Sequence, residues 1–376
     1  MTKSSLADAL PGWADKLNAQ SVVAGFDGFV DEMITVVEER QNLDAFRPVN
    51  DIATFGRLIS AAAGHSSLRE IVVNRVDPGG CAVNLGDGLI HFGVALDLFA
   101  TLGEPHHPAF APMTAGCRSV HSWGREPGRT LAFEFADGKL MFSAVRQLAD
   151  FAPATIAEKL AGGEYQKACA DASVIALTDW TLYPHMTAVW EMLRDEVYDK
   201  LPAGKRFFVD LVDPSSRSAD DILAALKVLP SLAGKGVLTL GVNGNEANLL
   251  ARLVGAPEAT DDEESIALQA AALRKVLGID EVVVHWIKFA AVAGSDGQAS
   301  VSGPYCAQPR KSTGAGDRFN AGYLLGQLLS LPPRERLLLA TASSGFFVRA
   351  ARSGNLDEMA SFLRLWEENR LEDFSA

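Results

Sequence analysis

The run Lys311-Ser312-Thr313-Gly314-Ala315-Gly316-Asp317-Arg318-Phe319-Asn320-Ala321-Gly322 sets one carboxylate behind a glycine turn and ahead of an apolar pattern. Gly314 and Gly316 flank a single small residue, so the backbone can turn tightly and leave its amides uncovered. Phe319, Tyr323, Leu324 and Leu328 then recur at helical spacing, which points a helix N-terminus outward. Such a terminus carries unpaired N–H groups and roughly half a positive charge, a site suited to the oxyanions of a moving phosphoryl group. An acid beside it would repel a resting anion. Asp317 therefore reads as a base that takes a proton from an attacking hydroxyl. The same residues also fit a plain helix cap, with Thr313 or Asp317 closing an ordinary core helix, and the motif by itself leaves both readings open.

A second glycine turn, Gly79-Gly80-Cys81-Ala82-Val83-Asn84, precedes Leu85, Leu89, Ile90 and Phe92, which continue as a helix to Gly93. Paired glycines let a polyhydroxylated ligand approach the main chain, and the Asn84 amide offers a donor and an acceptor to adjacent hydroxyls. Asp27 and Asp31 follow an apolar strand, Ser21 to Gly25. Ligands gather outside the carboxyl ends of strands in open parallel sheets, so both acids are candidates for substrate contact. Asn243-Gly244-Asn245-Glu246 follows a strand ending at Gly241 and opens a helix, which puts Glu246 near a strand end and in a first helical turn, where the helix dipole alone would favour it.

These groups need a frame. A first helix spans Leu6 to Leu17. From Ala172 onward apolar strands alternate with amphipathic helices: Ser173 to Leu177, Arg206 to Val212, Gly236 to Gly241 and Glu281 to Trp286 against Met186 to Lys200, Ala219 to Val228, Glu246 to Val254 and Glu264 to Leu277. This is the pattern of a parallel sheet with helices on both faces. Met33 to Val37, Arg129 to Phe135 and Lys139 to Phe142 read as a small separate sheet, with Asp137-Gly138 a strong hairpin turn. A final hairpin joins Ala290 to Ala293 and Ser300 to Val301 across Asp296-Gly297.

Composition narrows the class. The 376 residues, 48% hydrophobic and 22% charged, suit a globular enzyme with one large α/β domain and an added subdomain. A net charge of −13 disfavours nucleic acid or an anionic membrane as partner, which leaves small molecules. Arg310, Lys311 and Arg318 nevertheless crowd the motif. Cys81, Cys117, Cys169 and Cys306 are widely spaced with no C-x-x-C pair, which fits a reducing cytoplasm and no zinc site. His106-His107 lacks a third ligand at helical spacing. The first twenty residues lack the pattern of a signal peptide, and no apolar stretch is long enough to cross a bilayer. G-x-x-x-x-G-K-[ST] and a strand-following G-x-G-x-x-G are both absent.

Thr-Gly-Ala-Gly-Asp followed by Arg-Phe-Asn-Ala-Gly resembles the C-terminal signature of the ribokinase-like (PfkB) carbohydrate kinases. The resemblance implies that Asp317 is the catalytic base and that the Gly314, Ala315 and Gly316 amides form the anion hole. The turn at Gly79 resembles the family's N-terminal GGxxxN element, which implies that Gly79, Gly80 and Asn84 bind the phosphoryl acceptor with the acid after the first strand, placed at Asp31 and next at Asp27. Asn243 and Glu246 fit the family's N-x-x-E element, whose glutamate organises Mg²⁺, water and phosphate. Mg²⁺ prefers oxygen ligands and keeps several waters, which suits a single acid acting mostly through water. Asp210 to Arg217 resembles a looser D-x-N-x-x-R-like segment and brings Asp213 and Arg217 toward the nucleotide, with Thr313 and His285.

Two departures bear on the donor. Many ATP-dependent members follow a strand like Val282-Val283-Val284 with Thr-x-Gly, whereas this chain has His285-Trp286-Ile287-Lys288. That histidine, the spacing from Gly25 to Asp31 and the Phe133-Glu134-Phe135 strand resemble the ADP-dependent branch. The Gly-Ala-Gly-Asp pattern is the ATP type, so ATP is the expected donor and ADP the alternative. The stretch from Thr341 to Gly354 resembles the helix lining the adenine site, with Phe346 and Phe347 expected to crowd it. The resemblance runs from about Ser21 to Gly354, with the elements in family order. It implies one ribokinase-like three-layer α/β/α domain over 1–376, a mainly parallel central sheet and a β-sheet lid formed by about 32–50 and 117–145. The partners implied are a sugar and a nucleotide, and exposed lid strands in such folds can pair across a two-fold axis to give a homodimer. A relative that keeps the scaffold and binds without transferring phosphate is the alternative from another class.

Overall fold

The computed structural model describes residues 1–375. Fourteen strands divide between two sheets. In chain order they are β1 (Ser21–Gly25), β2 (Phe29–Arg40), β3 (Phe46–Pro48), β4 (Ile71–Gly79), β5 (Ala95–Ala100), β6 (Ser119–Ser122), β7 (Gly128–Phe135), β8 (Gly138–Ala144), β9 (Val174–Thr178), β10 (Arg206–Asp210), β11 (Val237–Asn243), β12 (Glu281–His285), β13 (Phe289–Gly294) and β14 (Gly297–Ser302). The large sheet runs β14-β13-β12-β11-β10-β9-β1-β5-β6, parallel from β12 to β6, with β13 and β14 antiparallel at one edge.

Alternation along the central strands builds a core on each face. Val23, Ile175, Leu177, Phe207 and Val209 pack against the helices between residues 153 and 277. Their neighbours Val22, Ala24, Val174, Ala176 and Phe208 pack against the N-terminal helices, the Cys81–His91 helix and the helices from Ala315 onward. This is the expected α/β/α arrangement, since strands buried on both faces must be apolar throughout.

Chain order makes one end of this sheet special. From β1 the chain moves outward through β5 to β6, then returns to β9 on the other side of β1 and continues to β12. The order reverses between β1 and β9, and at such a switch point neighbouring connections diverge and open a crevice at the strand carboxyl ends. The small sheet grows from the same end. β2 pairs antiparallel with β4 and with β3, and parallel with β7, which turns at Asp137-Gly138 into β8.

Several elements differ from expectation. The small sheet includes β4, which periodicity missed because Asn74 and Arg75, in its middle, are polar and exposed. Ser119–Ser122 pairs with β5 in the large sheet and is not part of the lid. Pro11 breaks the first helix, which becomes Lys3–Ala9, a 3₁₀ turn Leu10–Trp13 and Ala14–Asn18. β10 ends at Asp210, before Val212 takes a positive φ of 60°. No helix among the described residues is long and apolar enough to cross a membrane.

Candidate active site

The carboxyl ends of five neighbouring strands deliver most of the polar groups. Asp27 follows β1, Asp179 follows β9, Asp210 ends β10, Asn243 ends β11 and His285 ends β12. Above them sits the Ala315–Leu328 helix, capped by Gly314 with φ 87°, a left-handed conformation that suits glycine. The turn uses the Ala315 amide, which donates to Ser312 O at 3.0 Å, so that amide is not part of an open anion site. Among the described residues no acceptor meets the Gly316 and Asp317 amides. Of the expected Gly314 to Gly316 set, the turn thus takes up the Ala315 amide alone.

Asp317 is only 7% exposed. Burial pushes its carboxyl up from an ordinary value of 3.8 to about 7; Asp210 adds to this, while Arg318 and the Cys81 thiol oppose it. Asp210 is itself raised to about 6 by burial, although it accepts from Asn320 Nδ2 at 2.7 Å and from the Val212 amide at 2.8 Å. Glu246 is raised further, to about 8, first by burial and then by Asp210. Like charges with little water between them raise one another, and three such acids around one helix start are a local reservoir of proton affinity.

Asn243 and Glu246 form a reciprocal helix cap. The Asn243 amide oxygen accepts from the Asn245 and Glu246 amides, and the Glu246 carboxylate accepts from Asn243 N at 2.8 Å and Asn243 Nδ2 at 2.6 Å. Each Glu246 oxygen keeps lone pairs beyond that cap. No group of three or more potential metal ligands converges among the described residues. Oxygen-only donors of excess negative charge, Glu246, Asp210 and Asp317, still fit Mg²⁺ held through waters and the phosphates of a nucleotide.

A cavity of about 640 Å³ opens on the β11 and β12 side of the Gly314 turn, lined by Asn243, His285, Trp286, Gly316 and, from the Pro333–Ala350 helix, Thr341, Ser344, Gly345 and Val348. His285 lies 4.5 Å from Phe319 between ring centres, and burial lowers its pKa to about 4, so the imidazole is neutral at pH 7. Trp286 packs flat against Gly244, where any side chain would collide with the indole. Phe346 and Phe347 do not crowd this cavity. Helical phase turns Phe346 into a cluster with Phe362 and Phe374, and Phe347 beneath the Arg318 guanidinium at 4.5 Å.

On the other side of the turn lie the Gly79-Gly80 pair and Asn84. A Cβ on Gly79 would run into the Asp31 carboxyl, and the Asn84 amide approaches Gly314. Burial raises Asp31 to about 6; Thr130 lowers it, Asp77 raises it, and Lys139 and Lys311 pull it down. Thr313 accepts from Lys139 Nζ at 3.4 Å, which ties the lid hairpin to the motif loop.

Two expected site residues are held by internal partners. Asp27 is 1% exposed and accepts from the Cys81 amide, the Ala82 amide at 2.9 Å and the Thr178 hydroxyl at 2.5 Å, so it fixes the Gly80 turn and the following helix. Arg217 stacks on Trp180 at 4.1 Å and donates to the Thr181 and Tyr183 carbonyls at 3.1 and 3.3 Å, a loop brace that faces neither cavity. Cys81 was missed. Its thiol stands at the Asp317 carboxyl because the GGxxxN turn meets the Ala315–Leu328 helix, a contact that no sequence spacing encodes.

A family model described as prokaryotic ketohexokinase matches residues 1–366. The ketohexokinase of Haloferax volcanii is 27% identical over 361 residues, covering 95% of this chain and 94% of that protein. Among solved structures, the ribokinase of Arabidopsis thaliana complexed with ribose and ATP superposes with a TM-score of 0.62 at 16% identity, over 92% of this chain and 98% of that one. A carbohydrate kinase from Agrobacterium tumefaciens superposes with a TM-score of 0.61 at 17% identity, over 92% and 97%.

Proposed function

Because the chain belongs to the prokaryotic ketohexokinase family, we propose that it transfers the terminal phosphoryl group of ATP to a hydroxyl of a ketohexose, with Asp317 as the base. One arrangement carries this reading: a buried carboxyl of raised proton affinity, beside two unpaired amides, at the seam between a nucleotide-sized cavity and a glycine-lined turn.

The donor lies in the cavity along His285, Trp286 and Gly345, with its phosphates toward the Gly316 and Asp317 amides. The acceptor lies over Gly79 and Gly80, where the missing side chains admit its hydroxyls, between Asn84 and Asp31. As the acceptor oxygen bonds to phosphorus and the bond to the leaving nucleoside diphosphate breaks, the hydroxyl proton passes to an Asp317 oxygen. The N–H groups of Gly316 and Asp317 donate to the phosphoryl oxygens, whose charge is greatest at that moment. Neutral His285 adds a hydrogen-bonding group without a charge. Mg²⁺, when bound near Glu246, neutralises charge on the phosphates. The lid hairpin, tied to Thr313 by Lys139, excludes water as it closes. Ile71, Val73, Met141 and Phe142 stay exposed on the small sheet, and a second copy of this chain is the partner we assign to that apolar surface.

The test is purified protein supplied with ATP or ADP and a panel of fructose, other hexoses, ribose and nucleosides, with phosphate esters read by phosphorus NMR. ATP with fructose is expected to give the fastest transfer. Tight sugar binding with no ester from any pair would instead identify a binding protein on a kinase scaffold, and ester from ADP alone would move the donor assignment. Gly79→Ala checks the acceptor side: the added methyl displaces Asp31, and the acceptor KM is expected to rise roughly tenfold or more at an unchanged donor KM. An unaltered acceptor KM would remove Asp31 and Gly79 from the site.

A further inference from the structure

A larger cavity, of about 1200 Å³, lies across the 307–312 loop from the donor cavity, bounded by the lid hairpin tip, the Cys81–His91 helix and the end of the Pro333–Ala350 helix. In a chain of net charge −13 its walls carry Arg75, Lys139, Arg310, Lys311, Arg318 and Arg352. Four of the six have carboxylate partners: Arg75 pairs with Asp77 at 2.9 Å, Lys139 with Glu134 at 3.2 Å, Arg318 with Asp87 at 2.7 Å and Arg352 with Glu358 at 2.6 Å. Lys311 and Arg310 have no carboxylate within ion-pair distance among the described residues.

The arrangement at Lys311 and Arg318 is specific. Arg318 is only 6% exposed, with Nε on Ser353 Oγ at 3.1 Å and Nη2 on Asp87, so its guanidinium is held rigidly. Its third edge, Nη1, is turned to the Gly314 turn, within 2.8 Å of where a Cβ would stand, and the Asn84 amide faces the same spot at 3.5 Å. Burial lowers the pKa of the half-buried Lys311 ammonium; Asp77 opposes this, while Arg318, Arg75 and Lys139 add to it. Lys311 forms no ion pair among the described residues, and a fixed guanidinium edge with an adjacent ammonium suits a phosphate dianion. No free aromatic face is available to stack a nucleobase, since Phe347 lies under Arg318 and Phe135 packs against Phe55 at 5.3 Å.

We propose that this cavity binds the phosphate group of a sugar phosphate, anchored by Lys311 and the Nη1 edge of Arg318, with the sugar reaching toward Asn84. The sugar half of this ligand rests on the sugar-kinase reading, whereas the phosphate half stands on the cavity alone. Two sources share this chemistry: the phosphorylated product of the chain's own reaction, or a sugar already phosphorylated elsewhere in its skeleton.

The experiment is titration calorimetry on the whole protein without nucleotide, using fructose, fructose 1-phosphate, fructose 6-phosphate and inorganic phosphate as probes. One sugar phosphate is expected to bind at least about tenfold more tightly than either fructose or inorganic phosphate. In Lys311→Met that preference over fructose is expected to fall toward one. Lys311 has no ion-pair partner to orphan, and an unchanged melting temperature confirms that the variant is folded. Preference for the 1-phosphate, displaced by fructose, identifies the product. Preference for the 6-phosphate, converted to a bisphosphate once ATP is added, identifies a phosphorylated acceptor. Equal binding of fructose and both sugar phosphates, equal binding of inorganic phosphate and both sugar phosphates, or a preference that survives in folded Lys311→Met would each overturn the proposal. Because no turnover is involved, a protein that shows this preference yet phosphorylates nothing refutes only the kinase reading, and an active kinase without the preference refutes only this inference.

Discussion

Asp317→Asn is expected to lower turnover by about 10² to 10⁴ while leaving nucleotide binding intact and raising thermal stability at pH 8. The two effects have one cause. The carboxyl sits where water is largely excluded, and a rise from 3.8 to about 7 corresponds to a cost of about 4 kcal/mol for holding the charge in the folded state. An amide of the same shape carries no charge and removes that cost, but it cannot accept the acceptor's proton. A merely structural acid would behave in the opposite way, since breaking a needed ion pair or cap destabilises the fold. Steady-state kinetics, nucleotide titration and a melting curve on one preparation decide the matter. Near-normal turnover would reject Asp317 as the base, and lost turnover together with a lower melting temperature would make it a structural residue.

How much of this could be read from the chain varies by element. The alternating strands and helices after Ala172 are buried on both faces, so their periodicity is strong, and they form the sheet as expected. β4 and β5 escaped notice for different reasons. β4 is half solvent-facing with a polar middle, and β5, Ala-Leu-Asp-Leu-Phe-Ala, carries Asp97 in a core strand because Arg118, just before β6, and Ser119, at its start, satisfy it. At the site, motifs located the Gly314 turn, the Gly79 turn and the Asn243 cap, whose roles are set by local backbone geometry. They could not show that Asp27 and Arg217 have internal partners, because an acid after a strand or an arginine after a loop looks the same in sequence whatever it faces.

What no motif could supply is the charge balance. Asp210, Glu246 and Asp317 come from separate segments and meet only because the carboxyl ends of β10 and β11 converge with the Ala315–Leu328 helix. Asp210 is the leading charge acting on both of the others. Asn320, one turn after Asp317, holds Asp210 in place through its Nδ2. The fold therefore gives up stability to keep several acids together, as expected where proton affinity is functional.

That balance sets the pH dependence. A base with a pKa of about 7 must lose its proton to act, so kcat/KM is expected to climb about tenfold per unit up to pH 7 and to level off above it, giving about a hundredfold difference between pH 5 and the plateau. An unperturbed aspartate at 3.8 would give a flat profile over that range. Stability should move the other way. The folded-state pKa lies above the unfolded one, so the folded form holds the proton more tightly. Its stabilising contribution is complete below the unfolded value and is lost as pH rises through about 7. The melting temperature is thus expected to fall between pH 5.5 and 8 while activity rises, and Asp317→Asn should flatten part of that fall. Asp210→Asn removes the largest neighbouring charge and should shift the acid limb of kcat/KM to lower pH. A limb that stays in place in Asp210→Asn would show that burial alone sets the base, and a flat wild-type profile from pH 5 to 8 would show that no raised carboxyl governs the reaction.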